Sequence, residues 1–166
     1  MIVLKNVLVA TDFSPPSEAA LTYARALSRT FGASLHVLHV AENLFLRPTP
    51  LDPHAMVATK IRALNDCLTD CDRAVLRARP IIEVSDSPAN VIVNYAKREG
   101  IDLIVMGTHG RNAVSQLLVG SVAERVVRLA PCPVLTVRRP EHEFVISDSP
   151  MQGGHHDSPE EHSRRD

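Results

Sequence analysis

Continuous apolar runs alternate along this chain of 166 residues with stretches that carry an apolar residue every three or four positions. Short continuous runs are typical of buried parallel strands, and the wider spacing is typical of amphipathic helices. The runs predict five strands, at residues 2–10, 34–40, 74–84, 101–106 and 134–137. The spaced stretches predict four helices between them, over residues 15–31, 57–71, 88–99 and 122–130.

Proline and glycine mark the boundaries of these elements. Ser14-Pro15 and Ser87-Pro88 each place a capping residue before a proline at the first helical position, and Gly32 and Gly100 end the same two helices. Pro80 cannot donate a hydrogen bond to a neighbouring strand, so its strand should lie at a sheet edge. Together the elements predict an α/β domain with a mainly parallel, doubly wound, five-stranded sheet and helices on both faces.

Charge is distributed unevenly along the chain. Residues 1–139 carry 16 basic and 12 acidic side chains, whereas residues 140–166 carry 2 and 7. The basic surplus suits a small anionic ligand, but the clustered Lys, Arg and aromatic residues of a nucleic-acid surface are missing. We therefore expect a domain over residues 1–139 and a disordered acidic tail over residues 140–166, whose histidines are solvated rather than bound to a metal.

The apolar runs are short. None reaches the roughly 18 residues that cross a bilayer, and the N-terminus lacks the basic start and cleavage site of a signal peptide. These features predict a cytoplasmic protein that does not bind a membrane. The three cysteines are expected to be idle thiols, with Cys67 and Cys71 four positions apart on the second predicted helix.

Residues 106–121 combine the end of a strand, a glycine-rich loop and the start of a helix. Glycine lets the main chain approach a ligand closely, and a helix start adds N–H donors and a partial positive charge. This combination favours an anion such as a phosphate group. The structural alternative is that Gly107 only ends a strand, and that Ser121 and Glu124 form a capping box that starts the helix.

In this loop the chain resembles the universal stress protein family, and specifically its ATP-binding branch. The branch has two glycines separated by two residues and, nine residues later, a glycine followed by serine or threonine. This chain fills the pattern with Gly107, Gly110, Gly120 and Ser121. Residues 7–14, 36–40 and 131–137 are similar to the first, second and last strands of the family, so the resemblance covers residues 1–139.

The resemblance implies the strand order 3-2-1-4-5, which puts the strand of Pro80 at an edge. Ligands of such sheets bind beyond the carboxyl ends of the strands where the winding reverses, here between the first and fourth strands. The family's contacts imply Asp12 on the ribose, Val40 beside the adenine, and phosphates on N–H groups near the glycines. The candidate cofactor-binding residues are Ala10, Thr11, Asp12, Val40, Met106, Gly107, Gly110, Arg111, Gly120, Ser121 and Val122.

Several candidates also have ordinary structural explanations. Asp12 could cap the turn into the first helix, Val40 could be strand core, and Arg111 could be a solvated loop charge rather than a phosphate ligand. Ser121 would add a hydroxyl donor to the phosphates. ATP is the implied cofactor, with Mg²⁺ a candidate companion held by Asp12.

Chemistry is less strongly indicated than binding. No lysine lies between Gly107 and Ser121, so the P-loop arrangement is absent and we expect slow turnover or none. His109 is a weak candidate for a proton acceptor. His36 and His39 superficially resemble the paired histidines of nucleotidyl transferases, but residues three apart on a strand face opposite sides.

The sequence is compatible with three functions. The favoured one is an ATP-binding, nucleotide-dependent regulatory or stress-response protein with slow or no hydrolysis. The alternatives are a phosphohydrolase or nucleotidyl transferase that uses the same crevice, and a nucleotide-free dimeric interaction module. Residues 134–137 should form the second sheet edge, and an unblocked apolar edge predicts a homodimer.

Overall fold

The computed structural model describes residues 1–45, 51–108 and 120–138. Strands and helices alternate within these residues, with one short helix more than the sequence predicts. The strands are β1 (Asn6–Ala10), β2 (Ser34–Ala41), β3 (Arg79–Val84), β4 (Leu103–Gly107) and β5 (Val134–Val137). The helices are α1 (Pro15–Phe31), α2 (Pro53–Asp66), α3 (Asp70–Val75), α4 (Pro88–Arg98) and α5 (Ser121–Leu129).

The strands form one sheet in the order β3-β2-β1-β4-β5, and every neighbouring pair is parallel. This arrangement confirms the predicted doubly wound α/β fold and its strand order. Pro80 lies in β3 at one edge of the sheet, and β5 forms the other edge. The winding reverses between β1 and β4, as predicted.

Side chains of β1 alternate between two apolar cores, one on each face of the sheet. Val7 and Val9 pack with residues of α1 and with Leu64 of α2, whereas Leu8 packs with residues of α4 and α5. All three β1 side chains are fully buried. Helices therefore cover both faces, which leaves the carboxyl ends of the strands as the place for a ligand.

Helix α1 begins and ends at the predicted signals. Ser14 is its N-cap and Pro15 its first residue. Gly32 follows the last turn with a φ of 66°, and its N–H group points at the carbonyl oxygens of Ser28 and Arg29. Glycine suits this left-handed position because it has no Cβ.

The single helix predicted over residues 57–71 is wrong, because the chain breaks between α2 and α3. Thr69 starts α3 with a capping box: its Oγ1 accepts the N–H of Asp72 at 3.1 Å, and the Asp72 carboxylate accepts the N–H of Thr69 at 2.9 Å. Apolar periodicity continues across the break, since Leu64 and Leu68 are both buried. The local cap therefore overrides a hydrophobic pattern that would also fit one continuous helix.

Arg25 of α1 stabilises the break between α2 and α3 by hydrogen bonds to residues on both sides of it. Its guanidinium donates to the carbonyl oxygen of Cys67 at 2.5 Å and to both carboxylate oxygens of Asp72. Cys67 and Cys71 consequently lie on either side of the break and not on one helix, and both are free thiols.

Two predicted strands begin later than expected. β1 starts at Asn6, and the apolar side chains of Ile2 and Val3 before it are 72% and 60% exposed. β3 starts at Arg79, since α3 runs to Val75 and Arg77 has a φ of 49°, outside the extended region. In both places the apolar composition continues beyond the hydrogen-bonded strand.

The predicted tail, residues 140–166, and residues 109–119 of the glycine loop lie outside the described residues. Among the helices that the structure does describe, none has the length and apolar character needed to span a membrane.

Candidate functional site

The carboxyl ends of β1 and β4 meet where the sequence predicts the site. Ala10 of β1 pairs with Met106 of β4 on one side and with Leu38 of β2 on the other. Because the strands are parallel, the residues after Ala10 and Met106 emerge at the same edge of the sheet. The structure thus brings together the two predicted segments, 10–12 and 106–107.

Hydrogen bonds fix the turn that follows β1. The N–H of Thr11 donates to the carbonyl oxygen of Leu38 at 2.9 Å, and the Oγ1 of Thr11 accepts the N–H of Phe13 at 3.0 Å. Oδ1 of Asp12 accepts the N–H of Ser14 at 3.1 Å and its hydroxyl at 2.5 Å. Asp12 therefore does have the structural role of organising the start of α1.

Asp12 also lines an open cleft of about 300 Å³. The cleft lies between the carboxyl ends of β1 and β2, the residues after β2, and one face of α2, whose contributing residues follow helical spacing. Its lining combines apolar walls with a few charged side chains. The lining residues are Asp12, His39, Val40, Ala41, Glu42, Leu44, Phe45, Pro53, Met56, Val57 and Lys60.

Val40 takes part both in the cleft and in the core. It is only partly buried and packs against the apolar cluster beneath α4 and α5, and it also lines the cleft. Strand core and ligand contact are therefore compatible at this residue, because a strand-end side chain can reach both.

His36 and His39 lie on opposite faces of β2, which confirms the expectation from strand geometry. Nδ1 of His36 lies 2.8 Å from the Tyr95 hydroxyl of α4, while Nδ1 of His39 lies 2.8 Å from the Thr11 carbonyl oxygen at the cleft. A carbonyl oxygen only accepts, so Nδ1 of His39 carries a proton. The two imidazoles cannot act together on one ligand.

Gly107 has a packing reason to be glycine. A Cβ at this position would lie 3.0 Å from the carbonyl carbon and from the Cβ of Pro16, and 3.1 Å from the backbone nitrogen of Ser17. The end of β4 thus touches the first turn of α1. This packing is a structural reason for glycine that was not predicted from the sequence, and the close approach also brings β4 next to the turn that holds Asp12.

The start of α5 differs from the predicted capping box. Gly120, not Ser121, is the N-cap, and the Glu124 carboxylate pairs with Arg128 at 2.7 Å instead of reaching back. The N–H of Gly120 is already used, because it donates to the Thr108 carbonyl oxygen at 2.5 Å. The first intrahelical bond runs from the Glu124 N–H to the Gly120 oxygen, so the N–H groups of residues 121–123 precede it.

Gly110 and Arg111, together with His109, lie outside the described residues, so their predicted roles stay predictions. Within residues 1–45, 51–108 and 120–138, no three His, Cys, Asp or Glu side chains gather in a group that could hold a metal ion.

Sequence reasoning missed the wall of the cleft that α2 provides. The predicted helix over residues 57–71 contains Val57 and Lys60 without indicating a binding role for them, and Met56 lies outside it. A signal was present: α2 follows β2, and the residues at positions 53, 56, 57 and 60 share one helical face directed toward the strand ends.

Comparison with known proteins agrees with this architecture. A universal stress protein of Thermus aquaticus is 36% identical over 145 residues, which cover 81% of this chain and 98% of the relative. The solved structure of the universal stress protein UspA from Lactobacillus plantarum is 30% identical, covers 83% of this chain and all of its own, and superposes with a TM-score of 0.66.

A more distant solved structure shares the fold. The universal stress protein from Archaeoglobus fulgidus in complex with dAMP is 22% identical, covers 82% of this chain and 99% of its own, and gives a TM-score of 0.57. Residues 4–138, which include all five strands and both sides of the cleft, match the universal stress protein family. This chain therefore belongs to the universal stress protein family.

Proposed function

We propose that this protein binds an adenine nucleotide, with ATP as the ligand, and acts as a nucleotide-dependent regulatory or stress-response protein. The observation that carries the proposal is the cleft beside the reversal point of the sheet, which combines Asp12 and Val40 with apolar walls. Its volume of about 300 Å³ is at the lower end of the range for small-molecule sites. It suits the nucleoside part of a nucleotide better than the whole molecule.

The nucleoside would enter between the strand ends and α2. Apolar side chains such as Val40 and Val57 offer contact surface to a flat base, and the Asp12 carboxylate can accept hydrogen bonds from ribose hydroxyls. Asp12 is well suited to this task because Ser14 holds one of its oxygens in place. Ala10, Thr11 and Met106 would form the floor at the strand ends.

The phosphates would extend toward β4 and the start of α5. The N–H groups of residues 121–123 precede the first helical bond, and a helix N-terminus carries a partial positive charge. Ser121 is exposed and would add its hydroxyl, with Gly110 and Arg111 as further candidates in the loop. Asp12 would also help to hold a Mg²⁺ ion that is bound to the phosphates.

Slow hydrolysis or none follows from the residues available. No lysine occurs between Gly107 and Ser121 to neutralise charge on a transferring phosphate. His39, a histidine that lines the cleft, donates its Nδ1 proton to the carbonyl oxygen of Thr11. Binding that changes conformation or partner choice therefore fits these residues better than rapid turnover.

A relative supports the choice of ligand class. The protein from Archaeoglobus fulgidus was solved with dAMP, an adenine nucleotide, and it has the same fold. Its identity of 22% is a likeness of fold only, so the residues of this chain must be tested directly.

A titration with ATP, ADP, AMP and GTP, each with and without Mg²⁺, tests the proposal. We expect ATP and AMP to bind and GTP to bind more weakly, with phosphate release far slower than binding. Rapid multiple turnover would favour the phosphohydrolase or transferase alternative. No binding of any of the four nucleotides would leave the interaction module.

A homodimer through β5 is part of the same proposal. β5 is an edge strand, Val134 and Leu135 are only partly buried, and α5 beside it exposes Val127 and Leu129. An apolar edge can pair with a second copy. Thr136→Pro would remove a backbone donor from that edge and should lower the mass measured by light scattering, and a wild-type protein that is monomeric at micromolar concentration would contradict the dimer.

A further inference from the structure

Phe13, which follows Asp12 in the turn after β1, has an unusual backbone conformation. Its φ is 63°, in the left-handed region that glycine adopts easily and a phenylalanine rarely does. Among the described residues other than glycine, only Arg77 shares a positive φ. A strained residue persists only where surrounding contacts hold it, and such residues concentrate at binding sites.

The contacts that hold Phe13 come from three different elements. Its N–H donates to Oγ1 of Thr11, its ring centroid lies 4.5 Å from that of His39 on β2, and Nζ of Lys60 on α2 lies 5.4 Å from the ring centroid. His39 in turn donates from Nδ1 to the carbonyl oxygen of Thr11. The ring is thus clamped between β2 and α2 behind the turn.

The contacts around the Phe13 ring lie next to the cleft. His39 and Lys60 both line the cleft, as does Asp12, the residue before Phe13, whereas the Phe13 ring is not part of the lining and packs into the core beneath α1. A cation within about 6 Å of an aromatic ring is attracted to it. The Phe13 ring therefore connects the α2 wall of the cleft to the turn that orients Asp12.

We propose that Phe13 is a positioning residue for nucleotide binding: the Lys60 ammonium and the His39 ring hold its strained turn, and the turn sets the Asp12 carboxylate in the cleft. The inference rests on the proposed nucleotide site and adds a residue that does not touch the ligand. The competing explanation is that Phe13 only fills core volume. The two differ in whether the ring matters to affinity beyond its effect on stability.

The test measures dissociation constants for ATP and AMP in the absence of Mg²⁺, together with urea unfolding, on the full chain. Phe13→Leu keeps apolar bulk but removes the ring, and it should raise both dissociation constants by the same factor, roughly threefold to thirtyfold. The factor should be equal because ATP and AMP share the nucleoside. Phe13→Tyr keeps the ring and should stay within about twofold of the wild type.

Lys60→Met and the double variant with Phe13→Leu complete a mutant cycle. Lys60→Met keeps the side-chain stem but removes the charge, so Phe13→Leu should have less effect in that background than in the wild type. Additive effects on affinity would show that Lys60 does not act through the ring and would overturn the proposal. If Phe13→Leu does not fold, Lys60→Met must weaken AMP binding and Lys60→Arg must restore it.

Leu27→Ala is the matched control for core volume. Leu27 packs against the same core from the far half of α1. Its loss should lower stability and leave both dissociation constants unchanged. The proposal is overturned if Leu27→Ala weakens nucleotide binding as much as Phe13→Leu does, or if a folded Phe13→Leu protein binds ATP and AMP like the wild type. A wild type that binds neither ATP nor AMP refutes the proposed function itself, and this inference with it.

Discussion

Replacing Gly107 by alanine tests whether the end of β4 must approach the first turn of α1. The added Cβ would lie 3.0 Å from two atoms of Pro16 and 3.1 Å from the backbone nitrogen of Ser17. Carbon atoms pack best at about 3.5–4.0 Å, so the methyl group overlaps its neighbours by about half an ångström. Gly107 does not have a positive φ, so this overlap, and not backbone strain, is the perturbation.

The magnitude follows from which atoms must move. Two of the three contacts are backbone atoms of α1, whose start is held by hydrogen bonds from Thr11 and Ser17 side chains, so no flexible side chain can turn away. Overpacking of this kind costs about 1–3 kcal/mol. At about 2–4 °C per kcal/mol for a chain of this size, the melting temperature should fall by about 2–12 °C.

The assay pairs thermal unfolding with an ATP titration and uses Gly32→Ala as the control. Gly32 has a φ of 66° and open space around a new Cβ, so alanine there costs about 1 kcal/mol through the backbone alone. Gly32→Ala should melt earlier and bind ATP normally, whereas Gly107→Ala should lose affinity as well, because the displaced helix start carries Ser14 and its contact with Asp12. A Gly107→Ala protein that melts within about 1 °C of the wild type would refute the reasoning.

Three further predictions follow from the described contacts. Without Mg²⁺, Asp12→Ala should weaken the binding of ATP and of AMP by the same factor, at least about tenfold, and unequal factors in the titration would exclude a ribose contact. Asp12→Asn should unfold like the wild type, because its side-chain oxygen can still accept from Ser14. Asp72→Ala should cost about 2–3 kcal/mol in urea unfolding. It leaves the Arg25 guanidinium at a partly buried site without its carboxylate, and it removes the acceptor of the Thr69 N–H from the capping box of α3. A loss below about 1 kcal/mol would contradict this. Burial, together with the charge of Arg79, lowers the pKa of His36 below its ordinary 6.5, so the unfolded chain binds more protons and the free energy of unfolding should fall as the pH drops below 6.5. His36→Asn should flatten this dependence in unfolding measured from about pH 8 to 5, and an unchanged slope would count against the argument.

The fold was predictable because its main constraints are local in sequence. Pro80 marks an edge strand, and Pro15, Gly32 and Pro88 mark helix ends. The break between α2 and α3 was not predicted, because the apolar spacing runs through it. Its cap at Thr69 was visible as a threonine three residues before an acid, but the guanidinium that completes it comes from Arg25, 47 residues away from Asp72.

Two of the candidate site residues lie in the cleft, whereas its α2 wall was not predicted. Asp12 and Val40, which the family resemblance implies as nucleoside contacts, both line the cleft, and their contact with a nucleotide stays a prediction. The positive φ of Phe13 could not be foreseen, since phenylalanine has no preference for that conformation and adopts it only through contacts with β2 and α2. For the cleft wall at Lys60 the helical spacing of positions 53, 56, 57 and 60 was a signal in the sequence, but the placement of α2 over the strand ends depends on tertiary packing.

At the start of α1, stability should be coupled to the proposed nucleotide binding. Gly107 allows the first turn of α1 to lie close to β4, and Ser14 is the N-cap of that turn. Ser14 in turn donates to the carboxylate of Asp12, which is a residue of the cleft lining. A substitution that breaks one of these contacts will therefore change both unfolding and affinity, so neither measurement alone identifies a ligand contact. The ratio of the two effects does identify a ligand contact. Substitution of a packing residue changes the free energy of unfolding more than the dissociation constant, and substitution of a ligand contact does the reverse. By that criterion, substitution of Gly107 should lower stability strongly and nucleotide affinity to a smaller extent. Asp12→Asn should lower affinity and leave stability nearly unchanged.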